Sequence, residues 1–269
     1  MASFSIVSNV ASANAQSNLL STQVGLNKAL TRLSSGLRIN MSGDDAAGLA
    51  VANAYRSDIA VRVQGIRNAN DGLSDLQIKD GALNNISTLL DRLSTLAAQS
   101  ASGNTTDASR ATLQSEADAV VAEIDRQSTV SGLNVATGFS VFVSHETVVA
   151  NGVVAGSVSL VSAAALGLTG LDINDIAAAK TAVGTVATAV TTLGVTQGSV
   201  GAIQNRLQFA ISLAQSQKVN TQAAESRIRD ANIAEESSNM TRFNILTQSG
   251  IASLAQANQV SSAVLALLR

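Results

Sequence analysis

The chain opens with a helical pattern of apolar residues. Leu26, Leu30, Leu33 and Leu37 recur at steps of four, three and four residues, which places them along one face of a helix spanning about residues 6 to 37. The remainder of this segment is mostly Ser, Asn, Gln and Thr. A stripe this narrow does not stabilise an isolated helix. We therefore predict that the segment pairs with another helix, in the same chain or in another molecule.

The C-terminal segment has a matching pattern. Phe243, Gly250, Ala257 and Val264 fall at seven-residue steps. A second series with the same step consists of Leu246, Ser253, Val260 and Leu267. Apolar residues repeating every seven positions are typical of a coiled-coil seam, and small residues in the seam allow two helices to approach closely. We expect both ends of the chain to be helices that need partners.

A second helical system lies between the two ends. We expect it to begin after Ser42-Gly43-Asp44-Asp45, where Ser42 followed three residues later by an acid resembles a capping box. The heptad-spaced residues Ile59, Ile66 and Leu73 open a long apolar stripe, which continues to about residue 93. A turn follows at residues 102 to 105, then a shorter helix that ends near residue 132. Helical spacing returns after residue 170 and continues to about residue 211.

The apolar period changes from helical to alternating between these helices. Residues 139 to 144 alternate apolar and polar side chains, and Asn151-Gly152 is typical of a two-residue hairpin turn. We predict a β-hairpin at about residues 139 to 161. The predicted fold is mainly α: a long antiparallel helical rod with one small β-hairpin, plus N- and C-terminal helices paired as a coiled coil.

Composition argues against catalysis. The chain has no cysteine and one histidine, which removes thiolate chemistry and most zinc, haem and iron-sulfur arrangements. His145-Glu146 is the first half of a zinc-protease motif, but the second histidine of that motif is missing. Asp44-Asp45 is interpreted as helix capping rather than a cation site. We predict no enzymatic activity, no metal and no cofactor.

Charge and hydropathy narrow the partners. A formal net charge of -2 provides no basic field for phosphates, so we expect no nucleic-acid partner. No run of about 18 apolar residues exists to span a bilayer, so we expect no membrane association. The N-terminus lacks the basic and apolar regions of a cleavable signal peptide. If the protein leaves the cell, we expect another export route.

Several motifs near both ends resemble those of a known family. The N-terminal ones are RLSSGLRIN at 32–40, DDAAGL at 44–49, RNANDG at 67–72 and GALN at 81–84. The C-terminal ones are SRI at 226–228, SNMTR at 238–242, LAQANQ at 254–259 and VLALLR at 264–269. In this order they resemble the ends of bacterial flagellins, and the resemblance covers roughly residues 1 to 134 and 198 to 269.

The resemblance implies a domain organisation. Residues 1-42 and 226-269 would form an inner coiled-coil assembly domain, and residues 43-225 an outer helical rod domain. Flagellins vary in a large central insertion that forms outer domains, and this chain has room there only for the hairpin and a return helix. It therefore resembles a short form without those domains. Flagellins commonly have Pro where Ser261 stands, so the last helix is expected to run straighter.

The resemblance also implies a function. A flagellin is a structural subunit of the extracellular flagellar filament, self-assembles into a helical tube and serves motility. Its partners would be other flagellin subunits, the type III export apparatus with an export chaperone, and the filament cap and hook-associated proteins. Two alternatives stay open: a hook-filament junction protein, and a secreted adhesin or immune ligand. We predict that self-assembly depends on Leu26, Leu30, Leu33, Leu37, Phe243, Leu246, Leu254, Val260, Val264, Leu267 and Leu268.

Three further residues match positions that a flagellin-sensing Toll-like receptor contacts in this family, namely Arg92, Leu96 and Glu116. Thr95 departs from the pattern, because many receptor-activating flagellins have Glu there. Two interpretations stay open at this point. The residues form a receptor contact on an exposed face, or Arg92 and Glu116 are an ordinary solvated pair on neighbouring helices.

Overall fold

A computed structural model describes residues 9–144 and 152–267, and the side chains of Thr137 and of residues 260–267 lie outside that description. The described residues form five helices and two strands. The helices are α1 Val10–Ser35, α2 Ala46–Ser100, α3 Asp107–Val130, α4 Ile176–Arg229 and α5 Ile233–Leu267, and the strands are β1 Thr137–Phe142 and β2 Val153–Val158. The prediction of a mainly α chain with one small hairpin is confirmed.

The chain forms two compact units. The terminal unit consists of Met1–Ser57 with Asn220–Arg269, and the central unit is Asp58–Val219. Both boundaries between the units lie inside long helices, α2 and α4. The sequence contains no proline that would break these helices where one unit gives way to the other. The expected division after residue 42 and before residue 226, with its inner and outer roles, stays a prediction.

The start of α2 differs from the predicted capping box. The Asp45 carboxylate accepts a hydrogen bond from the Gly48 N–H at 2.8 Å, and Ala46 is the first helical residue. Asp45 is therefore the N-cap, and the prediction of a cap at Ser42 is wrong, because only the residue directly before the helix reaches the third helical N–H. Asp44 lies in the preceding loop, where its carboxylate accepts from the backbone N–H groups of Asn40 and Met41.

The central unit has a continuous apolar core. Two hydrogen bonds show that its helices α2 and α4 run antiparallel: Arg62 donates to Gln217, and Gln197 donates to Asn84 at 3.2 Å. Residues of α3 and of the loop before α4 complete the core. Its fully buried large side chains include Leu76, Leu83, Ile86, Leu90, Leu93, Leu96, Ile124, Leu133, Leu168, Ile173 and Leu193.

The two strands pair antiparallel, and their register corrects the predicted turn. Phe142 lies opposite Val153, and the Val143 N–H donates to the Gly152 carbonyl at 2.8 Å. Gly152 therefore lies beside the end of β1, and the prediction of a two-residue turn at Asn151-Gly152 is wrong. The hairpin exists, but its connection is longer, and residues 145–151 lie outside the described part of the chain. A dipeptide signal does not specify the register, which here follows from packing on the helices.

The expectation that no segment could span a membrane needs one correction. Among the described residues, α4 is long and apolar enough to cross a membrane, with a mean hydropathy of 1.3 over an 18-residue stretch. The apolar residues of α4 do not form one continuous stretch, because Thr and Gly occur between Val and Ala. The core helix of a soluble protein can have the same length and hydropathy. One side of α4, including Val186, Leu193 and Val200, is buried in the core of the central unit.

Candidate assembly surface

The terminal unit pairs α1 with α5 along a heptad seam. Apart from Gly25 and Arg32, the less exposed positions on α1 follow steps of three and four residues: Ser12, Ala15, Leu19, Thr22, Leu26, Ala29 and Leu33. This 3-4 spacing matches coiled-coil packing. Ala29 is buried where the predicted stripe has Leu30, and the Leu30 side chain is 45% exposed. Leu26 and Leu33 therefore belong to the seam, whereas Leu30 lies one position round the helix.

The α5 side of the seam confirms one predicted series and corrects the other. Apart from Ser237 and Asn239, its less exposed positions are Glu236, Met240, Phe243, Thr247, Gly250, Leu254 and Ala257. The series through Phe243, Gly250 and Ala257 lies in the seam as expected. The second series runs through Thr247 and Leu254, not Leu246 and Ser253, and Leu246 is 46% exposed. We call the seven α1 positions and these seven α5 positions the terminal seam.

Two glycines fix how closely the helices of the terminal seam approach. A Cβ atom built on Gly25 would lie 2.6 Å from the Phe243 Cζ atom, and one built on Gly250 would lie 3.2 Å from Leu19 Cδ1. Each helix thus offers a glycine to a large side chain of the other. The register that satisfies both contacts places residue 25 against 243 and residue 19 against 250, so α1 and α5 run antiparallel.

Polar contacts support the same register at both ends of the terminal seam. The Arg32 guanidinium pairs with the Glu236 carboxylate at 3.0 Å, and Glu236 is buried. At the other end, the Asn9 side chain donates to the Ala257 carbonyl at 2.9 Å. A charged pair that is largely shielded from water penalises other alignments, because a shift would leave one buried charge alone. Motif reading did not identify this pair, since its members are 204 residues apart.

The terminal seam leaves other large apolar side chains exposed. Leu20 and Val24 lie one turn apart and form the outer stripe of α1. Leu30 on α1, and Ile245, Leu246 and Ile251 on α5, are exposed at other positions around their helices. Leu37, another predicted assembly residue, is half-buried and pairs with Asp230 in an isolated bridge. Several exposed large apolar side chains on the helices of one unit are typical of a surface that another molecule covers.

Four predicted assembly residues cannot be placed on this surface. The side chains of Val260, Val264 and Leu267 lie outside the described residues, although the α5 backbone extends to Leu267. Leu268 also lies outside the described part of the chain. Their role in assembly stays a prediction.

The three residues considered for receptor recognition lie in the central unit in different environments. Arg92 donates through Nε to Glu116 Oε1 at 2.8 Å, and both side chains are about half exposed. Leu96 is fully buried in the core. The expectation that all three lie on an exposed face is therefore wrong for Leu96, because its α2 position points at the core that α3 and α4 complete.

No group of three or more His, Cys, Asp or Glu side chains that could hold a metal ion occurs among the described residues. The single histidine, His145, lies outside them. Several of the described acidic side chains accept backbone hydrogen bonds or form ion pairs, and Asp44 is one example. The backbone N–H groups of Asn40 and Met41 hold the pKa of the Asp44 carboxyl below its usual value.

Comparisons with known proteins agree with this arrangement. Residues 6–138 match the family profile for the bacterial flagellin N-terminal helical region, and residues 183–268 match that for the C-terminal helical region. The matched segments include both helices of the terminal seam.

Among curated relatives, the chain is 37% identical to the flagellar filament 33 kDa core protein of Treponema phagedenis, over 97% of this chain and 98% of the relative. It is 39% identical to a flagellin of Halalkalibacterium halodurans, over 90% and 91% respectively. The structure of Bacillus cereus flagellin aligns with 59% of this chain and 94% of its own, at 26% identity and a TM-score of 0.48. Two family profiles and relatives of this identity over nearly the whole length place the chain in the bacterial flagellin family.

Proposed function

We propose that this chain is a structural subunit of an extracellular flagellar filament and polymerises with further copies of itself. The proposal is carried by one observation on the terminal unit. Its helices α1 and α5 pair along the terminal seam, and large apolar side chains outside that seam are exposed. Relatives named flagellar filament core proteins support it. Heterologous contacts between identical subunits generate a helical polymer when they do not close into a ring.

Polymerisation of purified protein tests the proposal. We expect sedimentable filaments, seen by electron microscopy, above a critical concentration. The double variant Leu20→Ser/Ile245→Ser should raise that concentration about a hundredfold or more, because burying each side chain contributes roughly 1.5 to 3 kcal/mol. The control is Val130→Ser, which removes a side chain that is 76% exposed at the end of α3 in the central unit. Soluble monomers at every concentration would contradict the proposal.

The proposal extends to how the subunit reaches the filament. We infer export through the flagellar type III apparatus with an export chaperone, followed by incorporation under the filament cap onto hook-associated proteins. Support comes from family membership and from a terminal unit in which few large side chains are fully buried, which suits a chain that crosses a channel unfolded. Loss of extracellular protein in an export-apparatus mutant is the expected result. Undiminished extracellular protein in that mutant would contradict this route.

A junctional role is the alternative within the same class. Deleting the gene distinguishes the two, because loss of the main subunit removes the filament, whereas loss of a junction protein leaves filament protein that fails to attach. Relatives named filament core proteins and flagellins favour the first outcome.

Recognition by the flagellin-sensing Toll-like receptor is a second candidate function. Its support is the exposed Arg92–Glu116 pair at the positions that the family resemblance indicates. The burial of Leu96 weakens it, since that side chain is covered by the chain's own core. A receptor reporter assay with Arg92→Ala and Glu116→Ala tests it. An unmutated protein that gives no signal would leave the pair as a solvated ion pair only.

A further inference from the structure

The outer stripe of α1 contains a cation with no direct partner. Lys28 is on this stripe with Leu20 and Val24, and it lines a mainly apolar hollow of about 230 Å³ between α1 and the loop after it. Within the described residues Lys28 makes no hydrogen bond or ion pair. Its neighbour Arg32 is engaged with Glu236, and Asp44 is held by backbone N–H groups. Those N–H groups lower the pKa of the Asp44 carboxyl most, and the nearby charges of Arg32 and Lys28 lower it further. Lys28 forms no ion pair or hydrogen bond with Asp44, so its ammonium group stays available to an acid from outside.

The terminal unit also contains one acid with no direct partner. Five of its six described carboxylates have partners within the chain: Asp44, Asp45, Glu225, Asp230 and Glu236. The remaining one, Glu235, is exposed in the first turn of α5 and has no partner in the described part of the chain. The carboxylate of Glu235 and the ammonium of Lys28 are thus complementary groups on different helices of the same unit.

The spacing of the two outer stripes matches as well. The outer stripe of α5 is the helix face with Glu235, Ser238, Arg242 and the exposed Ile245. Its acid and its apolar residue are therefore ten positions apart, or about 15 Å at 1.5 Å per residue. On α1, Leu20 and Lys28 are eight positions apart, or about 12 Å. When the two stripes face each other antiparallel, Lys28 meets Glu235 and Leu20 lies near Ile245. A parallel arrangement would carry Leu20 beyond the start of α5.

We propose that the outer stripe of α1 in one subunit packs antiparallel on the outer stripe of α5 in a second copy, with a Lys28–Glu235 ion pair between subunits setting the register. This inference rests on the proposed function and specifies one of its contacts. The contact joins two different surfaces, so it is heterologous and repeats from subunit to subunit in a polymer. The charges select the alignment and the apolar residues supply the buried surface.

Charge reversal tests the pair. Lys28→Glu and Glu235→Lys should each raise the critical concentration for polymerisation about tenfold or more, because like charges then face each other across the contact. The combined variant, Lys28→Glu/Glu235→Lys, should return it to near the unmutated value. Arg56→Glu is the matched control, since Arg56 is exposed in the same unit and does not line the hollow. An Arg56→Glu effect as large as that of Lys28→Glu would overturn the proposal by indicating a general charge effect.

A mixing experiment distinguishes pairing between subunits from pairing within one. Equal amounts of the two single variants should co-polymerise near the unmutated critical concentration, because each contact between alternating variants again joins an acidic and a basic side chain. Rescue by the double variant without rescue by mixing would overturn the proposal in favour of an internal pair. If the unmutated protein and both single variants polymerise equally well, the ion pair is refuted and the proposed function is not. Unmutated protein that never polymerises would refute the proposed function as well.

Discussion

The two units of this flagellin family member differ in where their apolar side chains lie. In the central unit, large residues such as Leu90 and Leu93 are fully buried in one continuous cluster. Among the described residues of the terminal unit, Ile39 is a large side chain that is fully buried. The terminal seam consists mainly of leucines that alternate with the smaller residues Ala, Thr and Gly. Side chains of similar size, such as Leu20 and Ile245, are exposed there. The central unit has its own core, whereas the terminal unit leaves large apolar side chains exposed.

Because of this difference, leucines in the two units contribute to stability in different ways. A buried leucine in the central unit stabilises the folded chain, because its removal leaves a cavity. An exposed leucine in the terminal unit contributes little to the isolated chain and becomes stabilising only when a neighbour covers it. The following predictions separate the two tasks, beginning with the largest expected effect.

The central core should respond strongly to truncation. Leu93→Ala should lower the free energy of unfolding by about 2 to 5 kcal/mol, because it removes a fully buried side chain from a packed cluster. Chemical denaturation followed by circular dichroism measures the change. Ile78→Ala is the matched control on the same helix, since Ile78 is 64% exposed and should change stability by about 0.5 kcal/mol or less. Equal effects of the two variants would contradict the assignment of the core.

Glycines within α2 should fall into two classes. Gly65→Ala places a methyl group onto the backbone carbonyl of Val143, so β1 must move away from the helix, and we expect a loss of about 1 to 3 kcal/mol. Gly81→Ala meets no atom within 4 Å and should instead stabilise by about 0.4 to 1 kcal/mol through helix propensity. Thermal denaturation of both variants gives the comparison. Stabilisation by both would show that the hairpin does not pack on α2 as described.

The terminal seam should be more forgiving. Gly25→Ala forces the Phe243 ring to shift, and we expect the α1–α5 pairing to weaken by about 1 kcal/mol, because a ring can move where a backbone cannot. Native-state proteolysis should then cut α1 about fivefold faster. Adding Phe243→Leu should restore the rate, and Gly184→Ala, an open helical position in α4, serves as the control. A rate that Phe243→Leu does not restore would argue against this contact.

The smallest effect is expected at the surface of the central unit. Arg92→Ala removes an exposed ion pair with Glu116 and should cost about 1 kcal/mol or less. A denaturation experiment on Arg92→Ala, Glu116→Ala and the double variant measures the coupling between them. Leu96→Ala should behave like Leu93→Ala, because it is a core substitution, so it is unsuitable as a probe of receptor contact. A loss above about 2 kcal/mol for Arg92→Ala would show that the pair is structural.

Much of the fold could be predicted from periodicity. The absence of proline and the long apolar repeats predict α2 and α4, and the family motifs at both ends predict the pairing of α1 with α5. The details of contact could not be predicted in the same way. Leu30 follows Ala29, and Leu246 precedes Thr247, so each leucine has a smaller neighbour that could lie in the seam instead. A prediction based on apolar size selects the leucines. The close approach of the two helices places Ala29 and Thr247 in the terminal seam.

The sequence by itself determined the helices, the presence of a hairpin and membership in the flagellin family, because each of these depends on local spacing or on motifs that can be read in order. Only the tertiary structure decided the N-cap at Asp45, the register of the hairpin, the burial of Leu96 and the partner of Glu236. The hairpin register, the burial of Leu96 and the partner of Glu236 depend on which distant segments come into contact, whereas the Asp45 cap is a local contact with Gly48 that the capping-box prediction assigned to Ser42. Two residues 204 positions apart share no local signal, and only the packing of α1 on α5 brings Arg32 to Glu236.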